Sequence, residues 1–142
     1  MTEQSLTTIE GRCHCGNIRF DFDWPSDRTE IPARTCTCDF CLKHGGRWTS
    51  NPEGRVKLCV ADSTRVAIYR FGTNTADFHI CATCGVVPIV SCELEGKRFA
   101  VVNVNTFVNI PPDRLRPTPI NFEAEKLESR LSRRRRSWTP VG

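Results

Sequence analysis

The sequence lacks the features that mark membrane and secreted chains. No apolar run approaches the ~20 residues that a bilayer span needs. The opening residues, MTEQSLTTIEG, have neither the basic start nor the apolar core of a signal peptide. Apolar residues make up 39% and charged residues 25% of the 142 positions, as in ordinary globular domains. We therefore expect a single domain over residues 1–142 that stays in the cytosol, with no membrane partner.

Aromatic residues and net charge are also modest. One Tyr, three Trp and eight Phe are present, and the formal net charge is only +4. Much of the basic excess lies in four consecutive arginines at 133–136, within a basic C-terminal tail at about 122–142. Such runs are often solvated, and no array of stacking aromatics accompanies this one. Nucleic acid is therefore not the partner that we expect.

Helical periodicity is scarce, whereas strand-like alternation recurs. Apolar and polar residues alternate from Ile18 to Trp24, which is typical of a half-buried strand. The same pattern appears around Val56, Val66 and Phe78, and the segment Phe99–Val108 is rich in Val and Phe. The stretch through Glu30 and Pro32 reads as a loop, and helical spacing is confined to Phe122–Arg136. The sequence predicts a mainly β fold of short strands.

Nine cysteines need an explanation, because a reducing cytosol disfavours disulfides and an odd number cannot pair completely. Metal binding accounts for them better. Seven lie in three clusters, Cys13-His14-Cys15-Gly16, Cys36-Thr37-Cys38-Asp39-Phe40-Cys41 and Cys81-Ala82-Thr83-Cys84-Gly85. Zinc takes four ligands at ~2.3 Å per thiolate, so closely spaced pairs on tight turns suit it. A glycine after each outer pair allows positive φ, and backbone amides can then point at the thiolates.

The simplest division of the seven makes two metal sites. Cys13, Cys15, Cys81 and Cys84 would form a closed structural zinc site. Cys36, Cys38 and Cys41 would form a second site whose fourth position is open, as in catalytic zinc centres. We therefore expect two zinc ions per chain.

An alternative for the triplet is a second structural site. Its fourth ligand would then come from His44, Cys59, His79 or Cys92. Cysteines in strand-like stretches, such as Cys59 and Cys92, are more often small buried apolar residues than ligands. His79 is better suited to a hydrogen-bonding role than to metal ligation, and His14 is expected to face solvent.

Four motifs follow one another along most of the chain. They are Gly11-x-Cys13-His14-Cys15-Gly16, Cys36-x-Cys38-x-x-Cys41, Tyr69-Arg70-Phe71-Gly72 and His79-x-Cys81-x-x-Cys84-Gly85, followed by Val102-Asn103-Val104. In this combination they resemble the glutathione-dependent formaldehyde-activating enzyme family. The resemblance implies a β-tent fold of small antiparallel sheets, a structural zinc on the outer pairs and a catalytic zinc on the triplet.

The resemblance also implies an activity. Members of this family are described as carbon-sulfur lyases that form or break S-hydroxymethylglutathione, so we expect a small thiol, with glutathione as one candidate, and an aldehyde as partners. Arg47, Lys43 and Arg70 carry the charge needed for a tripeptide carboxylate, although solvated surface charge is the simpler interpretation of each. A thiol at the triplet zinc would lose its proton and attack the aldehyde carbon.

Two other functions remain open. A zinc-ribbon-like binding module would use both metals structurally and contact nucleic acid or an acidic partner through the basic tail. An enzyme of the same fold could also act on a different thiol or a thioether.

Overall fold

Strands predominate in the computed structural model, which describes residues 5–142, and the mainly β prediction is confirmed. Two α-helices are present in this part of the chain, α1 (Asp39–His44) and α2 (Leu127–Ser137). The strands are β1 Leu6–Arg12, β2 Ile18–Pro25, β3 Ile31–Cys36, β4 Arg47–Thr49, β5 Arg55–Val60, β6 Val66–Tyr69, β7 Asp77–Cys81, β8 Ile89–Leu94, β9 Lys97–Asn103, β10 Leu115–Ile120 and β11 Thr139–Pro140. Short 3₁₀ turns occur at Ser63–Arg65, Val104–Thr106 and Pro112–Arg114.

The strands form two sheets of unequal size. The small sheet has the order β1-β2-β5, and the large sheet has the order β10-β3-β4-β9-β8-β7-β6, with β11 paired to β9. All pairings are antiparallel except that of β10 with β3. None of the helices within residues 5–142 has the length and apolar character needed to cross a bilayer.

The large sheet is covered on both faces, because successive side chains of a strand point to opposite sides. In β9, Ala100 and Val102 belong to the core that packs against the small sheet, whereas Val101 belongs to a second core. The first core is built around Phe20, Phe22 and other buried residues of β2. The second core includes Cys38, Cys41, Trp48, Phe78 and Trp138. Cys13 and Cys81 belong to a third, smaller cluster with Ile18, so the two cysteine-rich regions lie in different parts of the fold.

Two local predictions were wrong, and the bounds of a third differ from those observed. The predicted loop through Glu30 and Pro32 contains β3, which pairs in parallel with β10 and buries Ile31 and Ala33. The strand predicted over Phe99–Val108 ends at Asn103, whose side chain caps a 3₁₀ turn by accepting from the amide of Asn105. The helix predicted over Phe122–Arg136 is present as α2, but it begins at Leu127. In the first two cases a tertiary or side-chain contact outweighs the local pattern.

The two unclustered cysteines differ in environment. Cys92 is buried in β8, as predicted, but Cys59 is exposed in β5. The alternation in β5 buries Val56 on the inner face and leaves Cys59 on the outer one. The prediction that Cys59 is a buried apolar residue was therefore wrong.

Candidate metal centres and active site

The outer cysteine pairs come together at a junction of the two sheets. Cys13 and Cys15 follow β1 of the small sheet, and Cys81 ends β7 of the large sheet. Their Sγ atoms and that of Cys84 lie within 4.8 Å of one another. The Cys13–Cys15 and Cys15–Cys81 Sγ separations are 3.8 and 3.5 Å, near the ~4 Å expected of thiolates around one tetrahedral zinc. The four-sulfur cluster fits a metal ion that cross-links the two sheets.

Glycine-containing turns orient backbone amides toward this cluster. Gly16 and Gly85 adopt φ of 85° and 81°, values that side chains with a Cβ rarely adopt. The amide of Ile18 lies 3.3 Å from Cys13 Sγ, and the amide of Cys84 lies 3.5 Å from Cys81 Sγ. Amide donors of this kind stabilise thiolates.

The central triplet occupies the junction between β3 and α1. Cys36 ends β3, Cys38 caps the N-terminus of α1, and Cys41 lies in the first turn of that helix. Cys38 Sγ accepts a hydrogen bond from the Cys41 amide at 3.5 Å. The three Sγ atoms lie within 4.8 Å of one another, so the triplet can also hold a metal ion.

None of the four residues considered as a fourth ligand joins the triplet in residues 5–142. The His44 ring stacks on Phe40, with 5.6 Å between ring centroids. His79 Nε2 is hydrogen-bonded to Ser91 Oγ at 2.8 Å, in agreement with its predicted role. Cys59 lies in the small sheet, and Cys92 Sγ lies 3.5 Å from Arg134 Nη1. The fourth position is thus not taken by any of these side chains. His14 is exposed, as predicted.

One thiol in each cluster ionises readily. The hydrogen bond with the Cys41 thiol lowers the pKa of Cys36 to about 6, against the opposing effect of burial. Burial opposes ionisation of Cys84 as well, but backbone hydrogen bonds at Cys15 and Val86 bring its pKa down to about 6. Thiolates rather than thiols bind metals. Burial raises the pKa of Cys38, and the hydrogen bond with Cys36 raises the pKa of Cys41, so Cys36 is the acidic thiol of the triplet.

The two clusters have different surroundings, because Cys15 of the outer cluster is exposed at the protein surface, whereas the triplet borders a cavity. Cys36, Cys38 and Cys41 line a cavity of about 750 Å³, and none of the outer four cysteines does. This volume lies within the range of small-molecule sites. Aromatic side chains make up much of the wall, namely Phe40, Trp48, Tyr69, Phe71, Phe78, Phe122 and Trp138.

The chain belongs to the glutathione-dependent formaldehyde-activating enzyme family. The sequence model of that family matches residues 8–125, which include both cysteine clusters. The structure also resembles the crystal structure of a Rhodobacter sphaeroides protein, with a TM-score of 0.58 and 25% sequence identity. That likeness covers 78% of this chain and 97% of the other.

The arginine run at 133–136 is not the open basic tail that the sequence suggests. Arg134 is only 5% exposed. Arg133 forms an ion pair with Glu125 at 3.0 Å, and Arg135 forms one with Glu95 at 2.7 Å. Arg136 alone of the four is exposed without an ion pair in the described chain. Helix α2 therefore packs Arg133 and Arg134 onto the protein and leaves Arg135 and Arg136 exposed.

Cavity residues outside the cysteine motifs differ from those that the sequence suggests. Of the three basic residues considered for a carboxylate, only Lys43 lines the cavity, and it pairs with Asp39 at 3.1 Å. Arg47 donates to Asn105, and Arg70 pairs with Asp77. The arginines that do line the cavity, Arg34, Arg130, Arg133 and Arg134, were missed. The four-residue spacing of Arg130 and Arg134 in the predicted helix is the signal that could have identified two of them.

Proposed function

We propose that this protein is a zinc-dependent carbon-sulfur lyase that forms or breaks an S-hydroxymethyl adduct between a small thiol and an aldehyde. The observation that carries the proposal is that one of the two cysteine clusters borders a cavity of ligand size. The triplet opens into a cavity of about 750 Å³, and the four-sulfur cluster does not. Membership of the formaldehyde-activating family supports the same chemistry.

In this proposal Cys36, Cys38 and Cys41 hold the catalytic zinc, and Cys13, Cys15, Cys81 and Cys84 hold the structural zinc. The donor sets suit zinc, which prefers thiolate and imidazole ligands. A zinc ion bound at the triplet would supply positive charge that stabilises a substrate thiolate at neutral pH.

The reaction itself balances without any oxidant or reductant. The substrate sulfur loses its proton and forms a bond to the aldehyde carbon. The π electrons of the carbonyl move to the oxygen, which takes up one proton, so that the thiol and aldehyde add without loss of any atom. The reverse reaction breaks the carbon-sulfur bond and returns both.

The chain's own residues contribute positioning and exclusion of water. Cys38 and Cys41 are 9% and 5% exposed, and Phe40 packs against Phe71 and Phe78 at centroid distances of 5.0 and 4.9 Å. An apolar wall beside the triplet limits the access of water to the reacting sulfur and strengthens electrostatic interactions there.

The contacts of α2 favour an enzyme over the zinc-ribbon-like binding module. A phosphate-binding patch needs exposed cations, but Arg133 and Arg134 line the cavity. We therefore expect that nucleic acid does not bind at Arg133 and Arg134 and does not compete with the substrate.

The test is formaldehyde consumption in the presence of a panel of thiols, with zinc-loaded wild type compared with Cys38→Ser and Cys59→Ser. Cys59 is exposed and lies outside both clusters, so its variant controls for direct reaction of protein thiols with aldehyde. We expect Cys38→Ser to lose at least about 100-fold in rate, in the range seen when groups around a catalytic metal are disturbed, while Cys59→Ser keeps the wild-type rate. Equal rates in all three proteins would exclude catalysis at the triplet.

A further inference from the structure

The cavity beside the triplet is lined by one buried guanidinium, that of Arg134, and by three half-buried ones. Arg134 Nη1 donates to Thr75 Oγ1 at 2.8 Å and lies 3.5 Å from Cys92 Sγ, and its guanidinium lies 4.9 Å from the centre of the Trp138 ring. Within residues 5–142 no carboxylate lies at ion-pair distance from it. The Nε atoms of Arg130 and Arg134 are buried and have no hydrogen-bond partner. Buried charges are normally paired, so this arrangement calls for a partner that the protein does not supply.

Four guanidinium groups converge on this wall, and we call Arg34, Arg130, Arg133 and Arg134 the arginine wall. Burial lowers the pKa of Arg134 and Cys92 raises it, while Arg130 and Arg133 lie close enough to Arg134 for their charges to lower its pKa further.

Among the residues that the structure describes, a carboxylate partner is found for one member of the arginine wall. Arg133 pairs with Glu125, whereas Arg34 donates to Ser50 Oγ at 3.1 Å and Arg130 donates to backbone carbonyl oxygens. Glu123 also lines the cavity, and Lys43 and Asp39 neutralise each other. The wall therefore has more positive than negative groups, and it can attract an anionic part of a ligand.

The position of the wall relates it to the reacting sulfur. The same cavity contains both the triplet and the four arginines, so one small molecule can reach both. Three of the arginines, Arg130, Arg133 and Arg134, lie after residue 125, where the match to the family ends. This part of the cavity is thus contributed by a segment that the family model does not describe.

We propose that the arginine wall is an anion subsite that selects thiols carrying a carboxylate, with the sulfur at the triplet and the carboxylate against the guanidinium groups. Guanidinium groups recognise carboxylates through paired, charge-assisted hydrogen bonds. The aromatic side chains that line the same cavity, including Trp48 and Phe78, accommodate the carbon chain of the substrate. This assignment rests on the proposed thiol–aldehyde chemistry.

Three thiols of similar length show whether the charge of the substrate, rather than its size, determines the rate. They are 3-mercaptopropionate, 2-mercaptoethanol and cysteamine, whose ends are anionic, neutral and cationic. For each thiol, kcat/KM for formaldehyde consumption is measured in zinc-loaded wild type, Arg134→Gln and Arg34→Gln. Because a substitution in the protein leaves the acidity of each free thiol unchanged, the ratio of wild-type to variant kcat/KM isolates the contribution of the arginine.

We expect either arginine variant to lose about 10- to 100-fold with 3-mercaptopropionate, the effect of removing a hydrogen bond to a charged group. Its kcat/KM with 2-mercaptoethanol should change by less than about threefold. Arg135→Gln is the matched control, because it removes the same charge from α2 but Arg135 does not line the cavity and pairs with exposed Glu95. It should leave all three thiols unaffected. Equal losses with the anionic and neutral thiols, or no loss with either, would overturn the anion subsite.

A binding measurement separates this proposal from the proposed function. Trp48 and Trp138 line the cavity, so 3-mercaptopropionate binding without aldehyde should change the intrinsic fluorescence, and Arg134→Gln or Arg34→Gln should weaken that binding. If no thiol supports aldehyde consumption but this arginine-dependent binding persists, the lyase proposal fails and the anion subsite stands. If turnover is observed but wild type binds 3-mercaptopropionate no better than cysteamine, the anion subsite fails alone. Arg34 is only partly buried, so its variant tests the wall even if Arg134→Gln does not fold.

Discussion

Replacing Cys13 with serine should destabilise the protein much more than replacing Cys38 with serine. Cys13 is fully buried and belongs to the cluster that joins the turn after β1 to the end of β7, which lie in different sheets. Cys38 belongs to a cluster confined to one strand–helix connection. The first cluster therefore restrains the long-range topology, and the second restrains only a short segment.

The size of the difference follows from the length of chain that each cluster closes. Cys15 and Cys81 are 66 residues apart, and a cross-link over such a loop contributes about 4 kcal/mol of unfolded-state entropy. Cys38 and Cys41 are three residues apart, so little loop entropy is lost when their metal site is broken. For a chain of 142 residues, a loss of about 4 kcal/mol lowers Tm by roughly 10–15 °C.

The assay is thermal unfolding followed by circular dichroism, together with the zinc content of the same samples. Each variant should lose one zinc per chain, and only Cys13→Ser should show the large decrease in Tm. The reasoning is refuted if Cys38→Ser lowers Tm as much as Cys13→Ser does. Retention of both zinc ions by Cys13→Ser would refute the assignment of the four-sulfur site itself.

Three further predictions concern the packing of the core and the exposed Cys59. Gly11→Ala should lower the free energy of unfolding by about 1–3 kcal/mol, because a Cβ at this position would overlap the buried ring of Phe20. Urea denaturation measures this loss, and an unchanged midpoint would contradict the close contact between Gly11 and Phe20. Phe22→Ala should lower the free energy of unfolding by about 3–5 kcal/mol, since Phe22 is fully buried. Leu42→Ala should lower it by less than about 0.5 kcal/mol, because the Leu42 side chain is 64% exposed. Similar losses in the two variants would show that the core is misplaced. Cys59→Ser should retain the wild-type zinc content and Tm, because Cys59 belongs to neither cluster, and loss of a zinc ion on this substitution would make it a ligand.

Much of the site could be predicted because ligands close in sequence have to be close in space. Cys36, Cys38 and Cys41 lie within six positions of the chain, so one turn brings their sulfurs together whatever the remaining fold. The spacing of Cys81 and Cys84, with Gly85 after them, has the same property. The prediction that Cys81 and Cys84 join Cys13 and Cys15 depended on the number of clustered cysteines and on the family resemblance. The four sulfur atoms do lie within 4.8 Å of one another.

The cavity wall could not be predicted in the same way. Arg34 and Arg134 are 100 positions apart, and no local pattern states that β3 and α2 will line one cavity. Four consecutive arginines have the composition of a solvated tail, whereas in the fold Arg134 is buried beside Trp138. Which arginine points inward depends on the packing of Leu131 against the second core.

By itself, the sequence determined the strand-rich character of the chain and the grouping of the thiols that can hold metal ions, because both arise from periodicity and spacing over a few residues. Only the tertiary structure decided that the triplet, and not the four-sulfur cluster, shares a cavity with the arginine wall. Access and charge in a cavity come from elements that are distant in the chain. Their proximity is set by how the two sheets and α2 bury their apolar faces, which no local pattern specifies.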